Sequence, residues 1–453
     1  MSANLASQDA ESYVSFIVPK HLVKRLKTAL EKHGRGDPSR KITAYLTGSG
    51  KCVLPSTFIF DDEGSAVSQF IQTEGVAGDV EMFADHKKPG SDASTVDLPK
   101  AYSIYGQMLL LPPQTLQSQL WKTLNDEREK DALFQEICRR FKVSHIAVNA
   151  PIPLHNTDPG RGNVEDDENV LRSPTNLVPL FGDFGPICNS DKPCAADFYA
   201  AFWCHTKQNG ITQCWAPRYT MFSRGNITEK ARVMNLSSVA AAVSDSSTSG
   251  CSAVDLYAGI GYFTFSYLAA GVSRVLGWDI NPWSIEGLRR GAIANKWGVG
   301  VYQAETRTED VVLDDQTRLV AFVESNELAL ARIEKLRSKL PPIRHVNCGL
   351  LPTSKSSYQT AAAALDPRLG GWVHVHENFA VAEIDTQAEV VREHFQRLID
   401  TLDAGQQLPL TTTTRSRREV AVEHIQRVKS YAPGVFHCVI DIFVPPMTES
   451  RVL

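Results

Sequence analysis

The sequence lacks several features that would place it in a specialised class. No run of about 18 consecutive apolar residues occurs along its 453 residues, so we expect no membrane-spanning helix and no membrane partner. The first residues carry no basic stretch followed by a long apolar run, which argues against a secretory signal. A basic excess is also missing, since the net charge is −4. Any nucleic-acid partner must therefore be met by local basic patches.

Paired C-x-x-C cysteines are absent too, although the chain has 9 cysteines. An odd, scattered set is typical of reduced thiols in a cytosolic or nuclear protein, and we expect a cytoplasmic location. One group near the middle has spacings that match no common zinc pattern; it comprises Cys188, Cys194, Cys204, His205 and Cys214. Two histidines, His374 and His376, alternate along a predicted strand and share a face. We expect no metal at either place, with zinc at the cysteine group as the alternative.

Hydrophobic patterning divides the chain into three parts. We predict an N-terminal accessory segment at residues 1–110, a middle α+β domain at 111–235 that contributes to a cofactor site, and a catalytic domain at 236–453. In the catalytic part, short apolar runs alternate with helical segments, which predicts an α/β fold with a parallel, doubly wound sheet.

The same patterning predicts individual elements in the middle part. We expect helices at 116–125 and 130–141, strands at 145–148, 198–205 and 212–216, and an exposed loop at 156–174.

The strongest local feature is a glycine-rich turn after a short apolar strand, V-D-L-Y-A-G-I-G-Y-F-T. Gly259 and Gly261 let backbone N–H groups approach a ligand near the start of a helix. A dinucleotide-binding motif would place a third glycine where Thr264 stands. Asp255, at the end of the strand, favours a cofactor that carries an ammonium group over one that carries a pyrophosphate.

Polar residues follow the next strands at the same edge of the sheet. Asp279 ends the second strand roughly 20 residues after the glycines, where a ribose-binding acid belongs. Asn281 and Pro282 then have the residue types of a helix cap and a first helical position. The third strand ends in Ser325 and Asn326, which would face an adenine ring.

The fourth strand ends G-L-L-P-T-S, where a transferred group would meet its acceptor. Leu350 and Leu351 precede Pro352 there, so no side-chain amide or carboxylate is available to accept an N–H bond. This composition disfavours methylation of a ring nitrogen.

These motifs resemble those of the eukaryotic wybutosine-synthesising aminocarboxypropyltransferases, which are related to tRNA guanosine N1-methyltransferases. The resemblance covers most of the chain beyond Tyr105 and includes N-L-V-P-L-F-G-D-F-G-P; its most specific stretches are M-F-S-R-G-N and I-N-P-W-S-I-E-G-L-R-R-G. It implies a class I methyltransferase-like, Rossmann-like fold with smaller N-terminal α+β domains. It also implies S-adenosylmethionine as co-substrate and tRNA(Phe) as partner, without an obligate protein partner.

The implied reaction transfers the 3-amino-3-carboxypropyl group to 4-demethylwyosine, a tricyclic guanosine derivative next to the anticodon, and methylthioadenosine leaves. By the resemblance, Ser223 and Lys230 contact the cofactor, Asp279 holds its ribose, and Ser325 and Asn326 meet its adenine, with Glu305 and Thr306 as the alternative pair. Arg224 and Pro352 are the expected substrate contacts. We expect no strong general base.

Two other functions stay open on the sequence. One is a tRNA guanosine N1-methyltransferase, which the missing amide at Leu350 disfavours. The other is a non-catalytic RNA-binding protein with a vestigial cofactor fold, which the intact Asp255, Gly259, Gly261 and Asp279 disfavour.

Overall fold

The structure is a computed structural model, and it describes residues 13–36, 42–44, 51–59, 70, 81–85, 102–112, 115, 126–149, 177–405, 413–415, 417–447 and 449–451. Its contacts define two compact units: residues 1–98 with 118–121, and residues 99–117 with 122–453. The helix predicted at 116–125 and the loop predicted at 156–174 lie outside the described residues. None of the described helices is long and apolar enough to cross a membrane.

The described part of the first unit contains an antiparallel sheet and a helix. The strands are β1 (Tyr13–Pro19), β2 (Thr43–Ala44), β3 (Lys51–Ile59) and β4 (Glu81–Asp85), in the order β2-β3-β1-β4. Helix α1 (Val23–Lys32) buries Leu26 and Leu30, which share one face at helical spacing, against Phe16 and Leu54.

The second unit begins with a four-stranded sheet. Its strands are β5 (Ser103–Tyr105), β6 (Met108–Leu111), β7 (His145–Asn149) and β8 (Leu177–Phe181), in that order. Helix α2 (Glu127–Phe141) begins where the Asp126 carboxylate accepts a hydrogen bond from the Arg128 backbone N–H, at 2.9 Å. The helix predicted at 130–141 and the strand predicted at 145–148 are thereby confirmed.

A short helix and a hairpin follow: α3 (Ala195–Ala200), β9 (Cys204–Gln208) and β10 (Ile211–Trp215). The strand predicted at 198–205 is therefore wrong over its first part. The Asp197 carboxylate accepts a hydrogen bond from the Cys194 backbone N–H at 2.7 Å, and this capping box starts a helix over residues that the patterning predicted as a strand.

The remainder forms one eight-stranded sheet. Its strands are β11 (Ser252–Asp255), β12 (Arg274–Asp279), β13 (Gly298–Gln303), β14 (Thr317–Val323), β15 (Ile343–Cys348), β16 (Gly371–Ala380), β18 (Ala421–Ala432) and β19 (Val435–Val444). The order is β13-β14-β12-β11-β15-β16-β19-β18, with parallel pairing up to β16 and antiparallel pairing of β19 and β18. Strands β17 (Thr413–Arg415) and β20 (Glu449–Arg451) pair separately. The doubly wound fold is confirmed.

Helices cover both faces of this sheet. They are α4 (Ile227–Met234), α5 (Ser237–Val243), α6 (Thr264–Ala269), α7 (Pro282–Ala294), α8 (Ala329–Leu336), α9 (Tyr358–Ala364) and α10 (Ile384–Gly405). Helices α4 to α7 share one hydrophobic core, and α8 to α10 share the core on the opposite face. The central strand β11 is buried on both faces. The carboxyl ends of β11 and of its parallel neighbours lie at one edge of the sheet, where the predicted site residues follow.

Candidate active site at the carboxyl ends of the central strands

The turn between β11 and α6 has a backbone that requires glycine. Gly259 and Gly261 have φ values of +55° and +93°, in the left-handed region that glycine favours. A Cβ atom on Gly261 would lie 2.6 Å from the ring of Phe265, so a larger residue would displace the start of α6. The Gly261 N–H donates to the Ala258 carbonyl at 2.9 Å, which closes the turn. We call this turn the glycine cradle; its contact with a cofactor stays a prediction.

Asp279 ties this turn to the second strand. Its Oδ2 accepts a hydrogen bond from the Gly259 backbone N–H at 2.9 Å, and its Oδ1 accepts one from the Asn281 N–H at 2.8 Å. The carboxylate is half-buried, and burial raises its pKa to about 6, although the two backbone hydrogen bonds act to lower it. Asn281 caps α7 by accepting a bond from the Trp283 N–H at 2.9 Å, and Pro282 is the first helical residue. This helix start agrees with the sequence prediction.

Asp255 lies behind the turn and is fully buried. Its carboxylate accepts hydrogen bonds from the Thr264 N–H (3.0 Å), the Thr264 hydroxyl (2.8 Å) and the Asn347 amide (3.0 Å). Burial raises its pKa despite these donors. The contacts give Asp255 a role in holding the turn against β15, and its contact with a cofactor ammonium stays a prediction.

The segment from Ser223 to Lys230 lies against the same turn. The Tyr262 hydroxyl, from the turn, accepts a hydrogen bond from the Ser223 N–H at 3.0 Å and donates to the Met221 carbonyl at 2.6 Å. Arg224 donates to the Ser103 hydroxyl at 3.2 Å, which links the segment to the small sheet. The structure therefore brings Ser223 and the glycines together.

Lys230 is a buried cation in this segment. Its Nζ donates to Gln208 Oε1 at 2.6 Å and to Gln213 Oε1 at 3.0 Å, and it lies 5.0 Å from the centre of the Phe222 ring. Burial, together with the charge of Lys429, lowers its pKa to about 8. A buried ammonium group with neutral partners suits an anionic group of a ligand.

The third strand places its polar end next to the second. Strand β14 lies beside β12, whereas β13, which precedes Glu305 and Thr306, lies one strand further out. Asn326 donates to the Leu256 carbonyl at 2.8 Å, at the base of the glycine turn. Glu305 instead pairs with exposed Lys192 at 2.6 Å. The sheet order thus favours Ser325 and Asn326 over the alternative pair, and the adenine contact stays a prediction.

The fourth strand of the motif, β15, leads into a loop whose position is fixed by hydrogen bonds to a buried carboxylate. Glu377 Oε1 accepts hydrogen bonds from the Thr353 hydroxyl (2.9 Å), the Ser354 N–H (3.0 Å) and the Tyr358 hydroxyl (2.6 Å). The Pro352 carbonyl accepts a bond from the Asn378 N–H at 3.0 Å. Sequence reasoning missed Glu377, because a glutamate inside a strand has no pattern that predicts a partner on a distant loop.

The histidines form a buried hydrogen-bond network. His374 Nδ1 lies 2.7 Å from Asp441 Oδ1, whose carboxylate also binds Arg232. His376 Nδ1 lies 3.0 Å from His437 Nε2, and its Nε2 lies 3.2 Å from Asn347 Oδ1, which extends the network to Asp255. Burial holds the pKa of His376 well below its usual value, so the ring is neutral at pH 7. His374 and His376 thus have polar partners within the chain.

Among the described residues, neither the cysteines nor Arg417 and Arg418 form a second ligand site. All the cysteines are free thiols, and the described residues contain no group of three or more histidine, cysteine or acidic side chains placed to hold a metal. Arg417 pairs with Asp400, and buried Arg418 pairs with Asp403. The charges of these two arginines are therefore neutralised by carboxylates of the same chain.

The sheet order, the glycine cradle and the acid after the second strand define the class: a Rossmann-like, class I methyltransferase-like transferase. Residues 205–327 match the sequence profile of the TRM5/TYW2 methyltransferase domain. The chain is 38% identical over 349 residues to tRNA wybutosine-synthesizing protein 2 of Schizosaccharomyces pombe, which spans 76% of this chain and 72% of the relative. It is 32% identical over 323 residues to the Saccharomyces cerevisiae protein of the same name, and this match spans 67% of this chain and 60% of the relative. The chain belongs to the tRNA wybutosine-synthesizing protein 2 family.

Solved structures include similar chains at lower identity. A Pyrococcus horikoshii TYW2 in complex with MeSAdo is 17% identical, with a TM-score of 0.46 over 77% of this chain and 92% of that one. Trm5b from Pyrococcus abyssi is 14% identical, with a TM-score of 0.45 over 96% and 99%.

Proposed function

We propose that the chain transfers the 3-amino-3-carboxypropyl group of S-adenosylmethionine to the tricyclic guanosine derivative 4-demethylwyosine in tRNA(Phe). Membership of the tRNA wybutosine-synthesizing protein 2 family carries this proposal, and the site residues fit the co-substrate. The glycine cradle suits a nucleoside, Asp279 has lone pairs left for ribose hydroxyls, and buried Lys230 suits the carboxylate.

The reaction needs little acid–base chemistry from the protein. A side-ring carbon of the base forms a bond to the γ-carbon of the methionine moiety, the C–S bond breaks, and its electron pair stays on sulfur, so that methylthioadenosine leaves. The ring carbon then gives up its proton to solvent. The residues of the chain contribute by holding the γ-carbon, rather than the methyl group, in line with the nucleophile.

The loop after β15 supports this choice over methylation. Leu350 and Leu351 offer no side-chain amide to the guanine ring, while Glu377 fixes the position of Thr353 and Ser354 from behind. For a carbon nucleophile, this loop has only to hold the base in contact with the γ-carbon, without a hydrogen bond to the ring. A guanosine N1-methyltransferase would need a polar group there for the ring N–H.

A double-label assay tests the proposal. The chain is incubated with tRNA that carries the tricyclic precursor and with cofactor labelled separately in its methyl and carboxypropyl carbons. We expect only the carboxypropyl label in the tRNA. Methyl label alone would establish the methyltransferase, and no label in tRNA despite cofactor binding would favour a binding protein.

A further inference from the structure

A group of polar side chains without partners lies beside the glycine cradle. Within the described part of the chain, both amide atoms of Asn378, the Asn226 Oδ1 and the His437 Nδ1 are buried and make no hydrogen bond. Buried polar atoms are nearly always paired in proteins, so several orphans in one region point to a ligand. We call Asn226, Asn378, His437 and Lys429 the amide–lysine cluster.

Strand register brings three members of the cluster side by side. His437 on β19 pairs with Asn378 on β16 and with Lys429 on β18. Directly opposed residues of antiparallel strands share a face and lie about 4.5–5.5 Å apart at Cα. The three side chains therefore form a row across the end of the sheet.

Asn226 lies in the segment that faces Lys429. It follows Gly225, and a Cβ atom on Gly225 would lie 2.8 Å from Lys429 Nζ. The row on the sheet thus faces the segment that contains Ser223 and Lys230. The Asn378 backbone also binds Pro352, so the cluster adjoins the loop where the acceptor is expected.

The charge of this region is positive and unneutralised. Neither Lys230 nor Lys429 forms an ion pair with a carboxylate among the residues that the structure describes, and Lys429 is half-buried. The carboxylates of Glu229 and Asp441 are both bound to Arg232. His437 adds no charge at pH 7, because burial and Lys429 lower its pKa to about 4.

We infer that the amide–lysine cluster binds the zwitterionic amino-acid end of S-adenosylmethionine and holds that group during its transfer. Lys429 and the side-chain N–H groups of Asn378 would join Lys230 at the carboxylate, whereas the side-chain oxygens of Asn378 and Asn226 match the ammonium. The amino-acid end belongs to the 3-amino-3-carboxypropyl group that is transferred. By holding this end, the cluster would fix the position of the γ-carbon relative to the acceptor base. The inference rests on the proposed function, because it assumes this co-substrate.

Calorimetric titration with two nucleosides tests the inference. Methylthioadenosine keeps the adenosine and thioether of S-adenosylmethionine but lacks the amino-acid end. We expect Asn378→Leu and Lys429→Met each to weaken S-adenosylmethionine binding by about tenfold or more, the usual effect of losing a hydrogen bond to a charged group. Binding of methylthioadenosine should change by less than about twofold. Lys335→Met, which removes an exposed lysine on α8, is the matched control and should change neither affinity.

Thermal unfolding separates this role from a structural one. Asn378→Leu replaces orphaned polar atoms by apolar ones of similar volume, so we expect its Tm to be unchanged or higher. Equal losses for both nucleosides, or unchanged cofactor affinity with weaker binding of precursor tRNA, would overturn the inference; the second result would assign the cluster to the acceptor base. A wild-type chain that binds neither nucleoside would refute the proposed function itself.

Discussion

Replacement of Asp279 by asparagine should have opposite effects on cofactor binding and on stability. The substitution keeps the shape of the side chain but removes the negative charge and one of the two oxygens that would accept hydrogen bonds from the ribose hydroxyls. Loss of a charge-assisted hydrogen bond costs about 1.5–3 kcal/mol, so S-adenosylmethionine affinity should fall by about ten- to a hundredfold. Methylthioadenosine contains the same ribose and should lose affinity by the same factor.

The stability effect follows from the raised pKa of the carboxyl group. An increase from its ordinary value of 3.8 to about 6 corresponds to roughly 3 kcal/mol of unfavourable free energy when the group is ionised in the folded chain. Asparagine removes this cost, but it can accept only one of the bonds from the Gly259 and Asn281 N–H groups. Losing the other costs about 1–2 kcal/mol. We therefore expect Asp279→Asn to be about 1 kcal/mol more stable than wild type at pH 7.

The sign of this effect should depend on pH. The folded chain binds the Asp279 proton more tightly than the unfolded chain, so the cost is fully present above about pH 6 and disappears as the pH falls towards 4. Urea unfolding at pH 7 and pH 4 measures the change, with titration calorimetry for the two nucleosides. A variant that is less stable at pH 7 and binds both nucleosides normally would refute this account of Asp279.

Three further substitutions test separate parts of the site. Lys230→Met should weaken S-adenosylmethionine binding and abolish its decline above about pH 8, which direct titration across that pH range would detect; a decline that persists would show that another group causes it. Asn347→Ala leaves the buried Asp255 carboxylate without its amide partner and should lower the free energy of unfolding by about 1–3 kcal/mol, measured with urea, and an unchanged midpoint would contradict the network. Glu377→Gln weakens the bond from Tyr358 and should lower kcat with little change in KM for the cofactor, whereas a change in KM alone would mean that the loop binds rather than positions.

The sequence predicted the parts of the site in which a residue type is tied to a particular backbone conformation. Gly259 and Gly261 have the left-handed backbone that only glycine adopts readily, and Asn281 with Pro282 starts a helix wherever the chain permits one. Asp279 could be placed because the ends of parallel strands meet at one edge of the sheet. Each of these inferences used only neighbouring residues or the order of the strands.

The missed elements lie where local patterns carry little information. Strands β13 and β18 are the two edges of the main sheet, and their partly exposed residues give no clear apolar alternation. Neither of these two strands was therefore predicted from the sequence. Polar residues such as Glu377 and Asn378 depend on partners far along the chain, which single-sequence periodicity does not predict.

Identification of the nucleoside by-product tests the central proposal most directly. Each transfer of the aminocarboxypropyl group releases methylthioadenosine, whereas each methyl transfer releases S-adenosylhomocysteine. Chromatography of a reaction with precursor tRNA should show methylthioadenosine in amounts equal to the modified tRNA, and only when that tRNA is present. S-adenosylhomocysteine in its place would contradict the proposal.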